Sequence, residues 1–245
     1  MALGVILNRV FRTNNNPLFE YVYQNMEDIE KCYYIIPKEE FSNEATMKRH
    51  YYYGTLQKFV NTLYDHDIQP FLIDYDELID FSKEKGINQV VIAGDIMSYH
   101  KEEYDILHQK EKFKKEDISV TTIRANHYFK PSKTRNNKGE PYKVFTSFYK
   151  KWRPYLMKRT VYNYDLKDIA KVGVKSKQKV KGNYSQSGIS EENAQYKWSD
   201  FLDKDIEDYD TKREYLPEVL TSQLSIYLAY GAVSNTQLRA HETTL

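Results

Sequence analysis

Five short runs rich in β-branched and apolar residues, 4–7, 32–36, 70–73, 89–93 and 120–123, are separated by longer stretches whose apolar positions recur with helical spacing. The helical stretches lie at 17–29, 45–64, 76–85 and 99–115. Strands that alternate with helices of ten or more residues predict a parallel sheet covered by helices, an α/β domain over residues 1–130. From 126 to 140 the chain turns polar and rich in turn formers, and an aromatic segment follows it as far as Tyr155. A basic stretch and a polar run, 185–193, come next. Residues 131–197 therefore read as a connection, and beyond Trp198 the pattern becomes helical again, giving a third region, 198–245.

Within that last region Thr221 and Ser222 read as hydroxyl N-caps of a short helix on which Leu224, Tyr227 and Leu228 fall at i, i+3 and i+4 and which Gly231 ends. Hydroxyls and free backbone NH groups at a helix start suit a phosphate. An ordinary capped core helix has the same pattern, so the cap alone does not separate the two readings.

The spacing around it is more informative. Tyr209, Arg213 and Pro217 precede Thr221, Ser222, Leu224 and Ser225, and Tyr227, Leu228, Gly231 and Ser234 follow. This stretch, 209–231 (YDTKREYLPEVLTSQLSIYLAYG), resembles the start of the flavin-binding domain of the DNA photolyase/cryptochrome family. In that family a Thr-Ser-x-Leu-Ser turn holds the diphosphate of FAD. Leu220 departs from the family pattern, standing where Gly is usual, and Gly allows backbone angles that Leu resists. Thr236 is a second departure, at a position where Arg is common.

Two further segments resemble the same family. One is 139–152 (GEPYKVFTSFYKKW), where Val144, Phe148 and Trp152 also recur every four residues as on an amphipathic helix. The other is Arg9, Arg12, Asn15, Asn16 and Pro17, which read physically as a strand end, a turn and a Pro-started helix.

The resemblance implies an N-terminal Rossmann-like α/β domain followed by the start of a helical FAD-binding domain, and light-driven repair of pyrimidine dimers in UV-damaged DNA. It implies FAD contacts from Tyr209, Thr221, Ser222, Gln223, Leu224 and Ser225, and a DNA-backbone contact from Arg213, for which a surface ion pair with Asp210 is an equal alternative. Many members bind a folate antenna through a Glu that follows the fourth strand. Glu103, or its neighbour Glu102, would stand there, although an exposed acidic turn accounts for them and is the preferred reading. The family's helical domain continues well past this motif, whereas only 14 residues follow Gly231 here. A C-terminally truncated chain with impaired repair is therefore expected. The competing reading is a non-enzymatic nucleotide-binding or cryptochrome-like light-signalling module.

Composition narrows the remaining classes. The 36 basic and 35 acidic residues nearly cancel, so bulk charge does not point to nucleic acid. Between Lys158 and Lys181 eight basic residues face two acidic ones; a solvated linker explains this better than a DNA-contacting strip. The 23 tyrosines suit half-buried packing with a polar end. Cys32 is the only cysteine, so no intrachain disulfide is possible. No apolar run approaches the roughly 20 residues of a membrane span and no secretory signal is visible, which predicts a soluble, cytoplasmic protein; a monomer is expected separately. The absence of Gly-x-Gly-x-x-Gly after the first strand and of a Walker loop argues against a dehydrogenase and a P-loop NTPase. The six histidines lack metal-ligand spacing, and His66 reads as a surface group at a helix end.

Overall fold

The computed structural model describes residues 1–41, 46–94, 106–126, 135–155, 162–176, 178–184, 188–212, 221–235 and 237–238. Its centre is a five-stranded, wholly parallel sheet of β1 (Ala2–Ile6), β2 (Lys31–Lys38), β3 (Phe71–Asp74), β4 (Gln89–Ala93) and β5 (Ser119–Ile123), in the spatial order β3-β2-β1-β4-β5. The helices between strands are α1 (Pro17–Gln24), α2 (Thr46–Asp65), α3 (Leu78–Glu84) and α4 (Ile106–Lys115). The expected α/β class is observed.

A parallel sheet needs cover on both faces, and alternation along the strands provides two cores. Leu3, Val5 and Leu7 point to the face carrying α1 and α2, with Tyr34, Ile36, Leu56, Phe59 and Val91. Ile6, Tyr33, Ile35, Val90 and Ile92 point to the other, against Leu78 of α3 and Phe113 of α4. The chain leaves β1 toward one edge of the sheet and returns at β4 toward the other. The carboxyl ends of these two strands therefore form the topological switch point where such sheets bind ligands.

The boundaries depart from the sequence reading for local reasons. Helix α1 begins at Pro17 as expected, with Asn16 Oδ1 accepting from Leu18 N at 3.0 Å, but it stops at Gln24 rather than near 29. There Asn25 turns its side-chain amide back onto Tyr21 O at 2.7 Å, and the chain must reverse into β2. Strand β2 runs two residues past the predicted 36, through Pro37. The pairing with β1 ends at Ile35, so the missing NH of Pro37 costs no ladder bond on that side. For the fourth predicted helix, only 106–115 lies in the described residues.

Part of the basic stretch is packed rather than solvated. Helix α6 (Leu166–Lys171) buries Ile169 and Ala170 against the α1 side of the sheet. Cys32 then exchanges backbone bonds with the following residues: Cys32 N donates to Val172 O and Val174 N to Cys32 O, both at 2.8 Å. A lysine-rich composition hid this because the apolar residues involved, Leu166, Ile169, Ala170 and Val172, are spaced among the lysines. Two tyrosines are buried more deeply than half-buried packing, each with its polar end satisfied: Tyr34 OH donates to Ile169 O at 2.8 Å and Tyr52 OH to Pro37 O at 2.9 Å.

No helix among the described residues is long and apolar enough to cross a membrane, and no group of His, Cys, Asp and Glu there could hold a metal ion. Cys32 is fully buried, and burial pushes its thiol up to about 12. Since the thiolate is the reactive species, Cys32 should resist alkylation by iodoacetamide at about pH 8 in the native protein and react once the chain is unfolded in denaturant. Mass spectrometry of the two samples checks this; labelling of the native protein would contradict the packing around β2.

Candidate functional site

The C-terminal motif builds a third, separate cluster. Helix α7 (Glu191–Lys204) contributes Ala194, Trp198 and Phe201, and the segment after the undescribed stretch 213–220 contributes Leu224, Tyr227, Ala232 and Val233. Helix α9 (Ser225–Ala229) is shorter than expected and its cap lies elsewhere. Its N-cap is Leu224, not Thr221 or Ser222, and no side chain caps it. The burial of Leu224 in the cluster fixes the helix start there and leaves residues 221–224 as a turn in front of it. Thr221, Gln223 and Ser225 are exposed and Ser222 half-buried. Gln223 takes a left-handed conformation, with φ of 52°, and its Oε1 accepts from Lys197 Nζ at 3.2 Å.

The turn carries the hydroxyls of Thr221 and Ser222 in front of a helix start that no side chain caps, and the first NH groups of a helix have no intrahelical acceptor. Tyr209 opens α8 (Tyr209–Lys212); it is exposed, and its ring stands edge-on to Phe201 of the cluster at 5.6 Å. Of the expected site residues only Leu224 is part of this core, and Tyr209 reaches its rim through Phe201. Arg213, Glu102, Glu103, Pro217, Leu220 and Thr236 lie outside the described residues.

Docking of this unit depends on Gly231. It has φ of +65°, and a Cβ there would lie 2.0 Å from Arg9 O and 2.9 Å from Val10 Cα. Only glycine permits that approach and that conformation together. Around it, Phe11 N donates to Tyr230 O at 3.3 Å, and the Tyr230 ring lies 6.0 Å from that of Tyr52. Arg12 is fully buried; its guanidinium donates to Gly231 O at 3.1 Å, Ala125 O at 2.6 Å and Asn126 Oδ1 at 2.7 Å. One cation thereby ties the loop after β1 to the end of β5 and to the C-terminal turn. Asn126 Nδ2 donates in turn to Arg9 O at 2.8 Å.

Arg9 itself, left-handed with φ of 47°, forms a two-pronged pair with buried Glu39 at 2.6 and 2.5 Å. Burial of Arg9 opposes its charge, but the hydrogen bonds and charge of Glu39 outweigh this and hold the guanidinium firmly protonated.

A second clasp was not legible in the sequence. Glu191, at the first turn of α7, accepts from Thr13 N (2.6 Å), Thr13 Oγ1 (3.0 Å) and Asn14 N (2.9 Å). Beside it lies a cavity of about 450 Å³ between α2, the β1–α1 loop and the start of α7, lined by Phe11, Lys58, Phe59, Glu191 and Asn193 among others. Residues 9–14, with Arg9 and Arg12, therefore serve as the platform on which the C-terminal unit sits, whereas Asn15 accepts from Tyr162 N and Asn16 N donates to Tyr164 OH.

Residues 6–164 match the sequence model of DNA photolyase. The chain belongs to the DNA photolyase family. Among curated relatives of this photolyase-family chain, the deoxyribodipyrimidine photo-lyase of Buchnera aphidicola is 26% identical over 91% of this chain and 50% of its own. That of Alkalihalophilus pseudofirmus is 29% identical over 52% of this chain and 29% of its own. This chain thus spans half or less of the curated relatives it matches. Two solved structures share the fold. A class III photolyase from Agrobacterium tumefaciens has a TM-score of 0.69 at 19% identity, covering 97% of this chain and 52% of that one. An archaeal photolyase from Sulfolobus tokodaii with two FAD molecules has a TM-score of 0.65 at 14% identity, covering 100% and 55%.

Gly231→Ala should destabilise the protein by on the order of 3 kcal/mol, from left-handed strain plus the enforced separation from Arg9. A thermal melt should fall by roughly 6 °C or more. An unchanged melting temperature would show that the turn does not sit against the β1–α1 loop.

Proposed function

We propose that this photolyase-family chain acts in light-driven repair of pyrimidine dimers in UV-damaged DNA and that the 221–225 turn holds the diphosphate of FAD. The observation that carries the reading is that turn: an uncapped helix start with Thr221 and Ser222 in front of it, set against the β1–α1 loop by Gly231. The donor types fit the group, since hydroxyls and free backbone NH groups at a helix start can bind a phosphate without a dedicated side-chain cation.

Each residue then has a defined task. Thr221 and Ser222 would donate through their hydroxyls, and Ser225 through its hydroxyl and backbone NH. Leu224 is the buried pin that fixes where the helix starts, hence where those NH groups point. Gln223 supplies the left-handed link that lets the turn double back, and its bond from Lys197 holds that conformation. Tyr209 would border the cofactor from the α8 side, its ring steadied by Phe201. When bound, the flavin supplies the photochemical electron that splits the dimer. Arg213 remains the candidate for a DNA phosphate through its forked donors. An acidic-turn role for Glu102 and Glu103 is retained in preference to a folate antenna.

The purified chain incubated with FAD and desalted should retain the blue-absorbing flavin bands. Replacing Thr221 by Val and Ser222 by Ala together should weaken FAD binding about a hundredfold or more, since each hydroxyl bond to a charged group contributes roughly 1.5–3 kcal/mol. Absence of any flavin band in the parent chain would overturn the cofactor reading. Blue-light loss of a thymine dimer from an oligonucleotide reports the repair step; flavin retention without it would favour the light-signalling alternative.

A further inference from the structure

The cavity of about 450 Å³ between α2 and the start of α7 is lined by no residue of the 221–225 turn, so the flavin reading leaves it unassigned. Its volume falls among those of small-molecule sites, roughly 300–1,000 Å³. One wall carries Lys58 of α2, a half-buried residue. Its backbone O accepts from Thr62 Oγ1 at 3.1 Å, but its ammonium makes no hydrogen bond or ion pair among the described residues. The other wall carries Glu192, in the first turn of α7, whose carboxylate is equally without a partner there. The adjacent Glu191 is not available, because Thr13 and Asn14 already occupy both its oxygens. The side-chain amides of Asn14, Asn61 and Gln195 line the same cavity, and none of them is hydrogen-bonded among the described residues.

One unpaired cation and one unpaired carboxylate, borne by different elements, decide what fits. A simple anion would neutralise Lys58 but meet the carboxylates of Glu191 and Glu192, and a simple cation would meet Lys58. A neutral polyol would leave both charges unmatched. A zwitterion satisfies both at once, through charge-assisted hydrogen bonds that are about twice as strong as neutral ones. The amides, each with donors and an acceptor, then suit an uncharged polar side chain.

We propose that this cavity binds a free α-amino acid with an uncharged polar side chain, its carboxylate on Lys58, its ammonium on Glu192 and its side chain among the amides. The proposal rests on neither the flavin nor DNA, so it stands or falls apart from the function proposed above.

The test uses the full-length chain without added FAD and four probes, L-glutamine, L-asparagine, L-serine and L-threonine, each at up to about 10 mM. Saturation-transfer NMR should show at least one of them bound, and titration gives its dissociation constant. Lys58→Gln and Glu192→Gln should each weaken that probe roughly tenfold or more, the loss of one charge-assisted hydrogen bond. The probe's carboxamide, which lacks the carboxylate, should bind the parent about as weakly as the probe binds Lys58→Gln, and should lose nothing further in that variant. Lys150→Gln, on α5 (Phe145–Trp152) and not among the residues that line the cavity, should bind the probe like the parent. Neither Lys58 nor Glu192 has a partner to lose, so these variants should keep the parent's thermal melt, which is measured alongside. The proposal is overturned if none of the four probes binds, if acetate or glycerol binds as tightly as the best of them, or if either cavity variant binds it like the parent. Should a variant melt early, the carboxamide on the parent chain still decides: affinity equal to that of the probe overturns the proposal.

Discussion

Arg12 places a charged guanidinium where no water reaches it, and this is the constraint on which the two halves of the structure depend. A buried cation is costly unless its donors are met, so the acceptors must be held in place. They come from separate parts of the chain: Ala125 O and Asn126 Oδ1 just past β5, and Gly231 O in the turn after α9. Loss of any one leaves the charge under-solvated. The sheet edge, the β1–α1 loop and the C-terminal turn are therefore satisfied together or not at all.

Gly231 makes that arrangement sterically possible, because its carbonyl can reach Arg12 only if its backbone rests on Arg9. Arg9 is in turn held by Glu39 from the end of β2, and Glu191 secures Thr13 and Asn14 from the far side. Apolar contacts complete the joint: Tyr51 and Ile226 each pack against both the sheet's α1-side core and the α7–α9 cluster. The consequence for function is geometric. The 221–225 turn is positioned by the carboxyl end of β1, at the switch point of the sheet, through a chain of contacts that begins in the strands.

The strands and inter-strand helices were legible because their apolar periodicity is local, and β4 falls on the predicted residues. Pro17 as a helix start was legible for the same reason. The start of α9 was not, because a hydroxyl pair is a good cap signal while the position that decides is Leu224, whose burial depends on α7 across the cluster. The packing of Ile169 and Ala170 was masked by the lysines around them. Arg12 and Glu191 are ordinary charged residues in the sequence; their importance comes from partners 113 and 178 positions away, which no local pattern encodes. The family resemblance did point to Arg9, Arg12 and Gly231 together, without revealing that they touch.

The central claim is that the β1–α1 loop and the C-terminal turn form one cooperative joint. Hydrogen exchange measured by mass spectrometry on the parent chain and on Glu191→Ala tests it most directly. Peptides spanning 9–14 and 225–233 should be protected together in the parent and should lose protection together in the variant, while β1 and β4 stay protected. Protection of 225–233 that is unaffected when 9–14 opens would contradict the account.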